Sequence, residues 1–167
     1  MMKSKTFTLT QFRVLGVDPG FDRVGVAILA ENKVIFSDCI ETNRKLPHEE
    51  RLFEIGGKVR KIIKKWRPST LAIESLFFNQ NITNALKVSE ARGVIIYEAM
   101  QARLKIFEYS PQAIKIAVTG YGKADKRQIT TMVKKLVNLE EKLSKRLDDE
   151  IDAIALCITH LATKKGI

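Results

Sequence analysis

The chain has 167 residues, with 29 Lys and Arg against 19 Asp and Glu, a formal net charge of +10 and 45% hydrophobic residues. That balance fits one soluble globular domain, not a disordered chain, and no window approaches the ~18–20 unbroken apolar residues of a membrane span. The basic N-terminus leads into no apolar signal segment, and Cys39 and Cys157 lack metal-ligand spacing, which excludes zinc and disulfide scaffolds and fits a reducing, cytoplasmic setting.

Residues 1–11 read as a polar leader, 12–163 as the domain and 164–167 as a short tail. Phe12 to Asp18 is a short apolar run closed by Pro19-Gly20, a strand ending in a turn. Val24 to Leu29 and Val34 to Ile40 are two further strands, and the short Glu31-Asn32-Lys33 between them predicts a hairpin. After Pro47 the period changes: Leu52, Ile55, Val59, Ile62, Ile63 and Trp66 recur every three or four residues, an amphipathic helix stopped by Pro68. Leu71 to Glu74 is a very short buried strand, Asn81 to Ala102 a long helix and Lys105 to Tyr109 a strand. Pro111 to Val118, Lys126 to Val137 and Leu147 to Thr163 are helices, the first opened by its proline. Three antiparallel strands followed by alternating helices and parallel strands define an α/β fold. It is a five-stranded mixed sheet flanked by helices on both faces.

The charge is uneven. Residues 101–146 carry eleven Lys and Arg against four acids, a net of +7, whereas 147–167 are net negative. Such an excess suits a polyanion, since fixed cations displace counterions from phosphates, although a solvated basic face has the same composition. The acids sharpen the choice. Alternation in the first strand sends Phe12, Val14, Gly16 and Asp18 to one face, so Asp18 ends an inward row. Glu74 closes an apolar strand, and Asp152 stands alone among seven apolar residues at 151–158, with Asp149 one turn earlier on the same side. Each acid taken singly is served as well by a lysine or a helix N-terminus. Together, at strand ends that converge on one crevice, four carboxylates would repel unless divalent cations lay among them. Oxygen-only ligands select Mg²⁺ or Mn²⁺ over zinc, and two such ions ~3.5–4 Å apart are the apparatus of phosphodiester hydrolysis. A metal-dependent nuclease follows.

Four blocks carry a resemblance. Val17-Asp18-Pro19-Gly20, Ala72 to Phe77, Ala85 to Gly93 and Asp149 to His160 resemble the RuvC family, Holliday-junction resolvases of the RNase H-like superfamily, from about Phe12 to His160. The resemblance implies an RNase H-like fold and a structure-specific endodeoxyribonuclease that resolves four-way DNA junctions by paired symmetric nicks. It implies that Asp18, Glu74, Asp149 and Asp152 are catalytic and bind two Mg²⁺ ions, for which Mn²⁺ substitutes. Phe77, and Phe78 beside it, would stack on bases near the crossover. Lys115 and Lys126 would lie near the scissile phosphate, the latter opening a helix after Gly120-Tyr121-Gly122. A homodimer is implied, because two-fold junction symmetry calls for two related sites, with the Asn81–Ala102 helix a candidate for its interface; the RuvA/RuvB branch-migration complex is a further implied partner. His160 reads as a helix-end residue, not a ligand, and Phe21-Asp22-Arg23-Val24-Gly25 lacks the small hydroxyl residue the family often has before its glycine. The alternatives are another RNase H-like nuclease cutting RNA–DNA hybrids or other branched DNA, an actin-like ATP-binding domain, and a non-catalytic junction binder.

Overall fold

A computed structural model describes residues 12–76, 82–137 and 148–164. The leader 1–11, Phe77 and Phe78 lie outside the described residues. Strands β1 (Arg13–Asp18), β2 (Arg23–Ala30) and β3 (Lys33–Glu41) form an antiparallel meander. Strand β4 (Thr70–Glu74) pairs in parallel with β1, and β5 (Lys105–Tyr109) in parallel with β4, giving the order β3-β2-β1-β4-β5. The mixed five-stranded sheet expected from the sequence is therefore present. Its hairpin closes on the Ala30–Lys33 pair, with Glu31 at a left-handed φ of 54°.

Local chemistry sets the helix ends. Helix α1 (His48–Trp66) begins after Pro47, carries Glu49 and Glu50 in its first turn and Lys64 and Lys65 in its last, each complementing the helix dipole. Helix α2 (Ile82–Gln101) follows β4, and β5 runs into α3 (Pro111–Thr119). There Ser110 accepts the Ala113 N–H at 3.1 Å and Gly120, at φ 75°, ends the helix. Helix α4 (Lys126–Leu136) opens on a capping box in which Asp125 and Gln128 satisfy each other's backbone N–H groups. Helix α5 is Asp148–Lys164. Among the described residues no helix is long and apolar enough to cross a membrane.

Strand alternation divides the core. Leu15, Val17, Val26, Ile28 and Ile73 point to the face covered by α1 and α2. Val14, Ala27, Leu29 and Ala72 point to the other, covered by α3, α4 and α5. Each large side chain so buried contributes ~1.5–3 kcal/mol. Helix α5 lies unusually close to the sheet because two glycines leave room. A Cβ at Gly16 would stand 2.1 Å from the Ala153 carbonyl oxygen, and one at Gly25 would stand 1.9 Å from that of Asp149. Gly25 is also the β2 residue paired with Asp18. The sheet thus brings the end of β1 and the start of α5 to one place.

Candidate active site

Four carboxylates meet on the α5 face at the C-terminal ends of β1 and β4. Asp18 ends β1, and Glu74 ends the neighbouring parallel strand one step beyond the Val17–Ile73 pair. Asp149 and Asp152 come from the first turns of α5, where Ile151 and Ala153 on either side of Asp152 are buried. The Asp18 and Glu74 carboxyls lie within hydrogen-bonding reach of each other. Burial, with the added repulsion of Glu74, Asp152 and Asp149, pushes the Asp18 carboxyl up to about 8. Burial and then Asp152 raise Glu74 also. Asp152 is raised by burial although Lys126 opposes the shift. These mutual effects require the four acids to be neighbours, as the alternation of β1 and the spacing of α5 predict.

Internal cations share the load. Arg23 Nη2 is 2.5 Å from Asp149 Oδ2, and Cys39 Sγ lies 3.6 Å from the same oxygen. Lys126 Nζ is 3.2 Å from Asp148 and 3.7 Å from Asp152. Lys115 lines a cavity of about 180 Å³ together with Glu74, Asp152, Pro111, Ile114 and Ile129. Both lysines singled out in the sequence therefore border the acids. Arg23 was missed as a partner. It is the single charge in the otherwise apolar β2, a signal legible in the sequence, but its target lies more than a hundred residues away. His160 lies in the last turns of α5, as expected, but its side chain belongs to the core. It is fully buried, its Nδ1 is 2.8 Å from the Tyr109 hydroxyl and its ring packs on Phe107. Burial, then the positive charge of Lys164, pulls it down to about 4.

Among the described residues no three His, Cys, Asp or Glu side chains are already gathered tightly enough to hold one ion. The contacts of Arg23 with Asp149 and of Lys126 with Asp148 and Asp152 offset part of the negative charge instead. The donor set nevertheless fits a hard divalent cation: all four groups offer carboxylate oxygens, and their repulsion is the kind that such a cation relieves.

A mixed sheet with acids at the ends of its first and fourth strands and at the start of its last helix is the layout of an RNase H-like nuclease. The family profile "Crossover junction endodeoxyribonuclease RuvC" matches residues 14–160. A relative of that name from Halothermothrix orenii is 45% identical over 151 residues, covering 88% of this chain and 90% of its own. The structure of Thermus thermophilus RuvC superposes with a TM-score of 0.84 at 27% identity, over 93% of this chain and 96% of that one. T. thermophilus RuvC in complex with Holliday junction substrate gives 0.86 at 28%, with the same coverage. The chain belongs to the RuvC family.

Proposed function

We propose that the chain is a metal-dependent crossover junction endodeoxyribonuclease, acting in DNA recombination and repair, whose site is Asp18, Glu74, Asp149 and Asp152. The observation that carries the site assignment is geometric: Asp18 and Glu74 end adjacent parallel strands, the first turn of α5 packs on Gly25, the strand partner of Asp18, and Glu74 and Asp152 line one cavity. They would hold two Mg²⁺ ions, with Mn²⁺ a substitute. Bound there, such a pair would supply Lewis acidity for phosphodiester hydrolysis.

The chain's own residues do the rest. Lys115, on the cavity wall beside Glu74 and Asp152, offers an ammonium to the phosphate that enters there. Lys126, ion-paired with Asp148 and Asp152, limits repulsion between the acid cluster and the incoming backbone. Phe77 and Phe78, outside the described residues, would stack on unpaired bases at the crossover. Paired nicks call for two sites related by a two-fold axis, and α2 offers a surface for a second copy: Leu86, Tyr97 and Met100 are all exposed. The RuvA/RuvB branch-migration complex, in the cytoplasm, completes the set of proposed partners.

The test is a synthetic four-way junction incubated with Mg²⁺, with nick positions mapped on all strands and an RNA–DNA hybrid and a flap run alongside. Two symmetric nicks in strands of like polarity are expected, with the hybrid and flap cut poorly. Asp149→Asn and Asp152→Asn should abolish cleavage and keep, or tighten, junction binding. Efficient cutting of the hybrid alone would transfer the reading to another RNase H-like nuclease.

A further inference from the structure

We propose that Arg92 is a positioning residue that fixes the end of β4, and so the carboxylate of Glu74, from behind the sheet. The inference rests on the assignment of Glu74 as a metal ligand given above.

Glu74 is the final residue of β4, opposite Tyr109 on β5, and on its other side the pairing with β1 has already stopped at Val17–Ile73. A strand end with one neighbour is where a backbone carbonyl drifts unless something holds it. Here Arg92 Nε, from α2, donates to the Glu74 carbonyl oxygen at 3.2 Å. The other branch of the same guanidinium, Nη2, is 2.7 Å from Glu108 Oε2 on β5, off the N–H direction, so the contact is an ion pair without an aligned hydrogen bond. The Ser75 N–H adds a bond to the Tyr109 carbonyl at 2.9 Å. One side chain thus joins a helix and the ends of both parallel strands where the acid projects.

The base of this brace is stiff. Ala91 and Ile95, beside Arg92 on α2, are fully buried in the core against the sheet. The Arg92 side chain is only 16% exposed, and a guanidinium placed so deep is costly unless its charge and donors are used. Glu108 balances the charge and the Glu74 carbonyl takes the Nε donor, while Nη2 has no aligned acceptor. Because the bond is to the main chain, it leaves the Glu74 carboxylate oxygens free for a ligand. The planar fork also fixes direction as well as distance, which an ammonium cannot reproduce.

Groups that orient a ligand from behind typically change metal affinity or activity by about 10–100-fold when removed. The experiment compares Arg92→Met, Arg92→Lys and Glu108→Gln with wild type. It measures Mn²⁺ binding by calorimetry without DNA, thermal unfolding, junction affinity in chelator, and single-turnover cleavage. Arg92→Met is expected to weaken Mn²⁺ binding and slow cleavage in that range while junction affinity stays within about 2-fold, and Arg92→Lys to recover part of both. Unchanged Mn²⁺ affinity, or a loss carried by junction affinity alone, overturns the proposal. If Arg92→Met fails to fold, Glu108→Gln carries the test: weaker Mn²⁺ binding supports the brace and an unchanged affinity rejects it. Glu74→Gln run in parallel separates the two claims, since normal metal binding by that variant defeats the ligand assignment whatever Arg92 does.

Discussion

Gly25 decides where Asp149 can stand. A methyl group at 25 would meet the Asp149 carbonyl oxygen at 1.9 Å and its carbonyl carbon at 2.5 Å, both backbone atoms, so the first turn of α5 must retreat. Gly25→Ala is therefore expected to cost at least ~100-fold in cleavage, because a shift of about 1 Å in a reacting group has that effect. Gly57, in the middle of α1, is the control: a Cβ there meets nothing within 4 Å. Gly57→Ala should leave cleavage intact and add up to ~1 kcal/mol of stability by helix propensity. Rates and urea midpoints for both variants check the pair, and equal activity in Gly25→Ala would show that α5 is free to adjust. At this scale the sequence reveals the acids but not what holds them. Asp18 is legible because alternation and Pro19-Gly20 leave it at the end of an inward row, and Asp152 because it interrupts an apolar helix. The room left by Gly25, the clasp of Arg23 on Asp149 and the reach of Arg92 to Glu74 are tertiary contacts between distant segments, and no local pattern encodes them.

At the scale of elements, α5 performs two tasks at its two ends. Its first turn presents the acids, where Asp148, Asp149 and Glu150 also gain from the helix dipole. Its last turns bury His160 against Tyr109 and Phe107 on β5. A histidine held neutral in the fold, near 4, but free to protonate near 6.5 in the unfolded chain makes the unfolded state bind more protons between those values. Its contribution is intact above pH 6.5 and is lost as pH falls toward 4, by up to ~3 kcal/mol. His160→Gln, which can keep a bond to the Tyr109 hydroxyl, should be less stable at pH 7 and show a flatter stability profile from pH 6.5 to 4. Urea midpoints across that range measure it, and parallel profiles would remove His160 as the source. The element boundaries themselves were legible to within a residue or two, since Pro47, Ser110-Pro111, Gly120 and Asp125 are punctuation the backbone obeys. That His160 is core was not, because its position in a helix near the chain's end says nothing of which strand lies beneath it.

For the molecule as a whole, the two faces of the sheet are unequal. The face with α3, α4 and α5 carries the acids, whereas α1 and α2 cover the other. Helix α2 buries Ala91, Ile95 and Ala99 on its inner side, yet exposes Leu86, Tyr97 and Met100 on its outer side. Those three, with Gly93, fall at i, i+7, i+11 and i+14, a single stripe at helical spacing. A Cβ added at Gly93 meets nothing within 4 Å, so the stripe has a shallow middle in which a second backbone can approach. Two copies joined along α2 would leave both acid-bearing faces open, the relation that a junction with two equivalent cleavage points demands. Replacing Tyr97 and Met100 together by Glu is therefore expected to give a monomer by sedimentation equilibrium, with metal binding unchanged because neither residue touches the acids. The same variant should convert paired incision into isolated single nicks and lower the fraction of junctions resolved. If it sediments as a dimer and still cuts both strands together, the two-fold axis lies elsewhere, and the exposed stripe on α2 has no part in resolution.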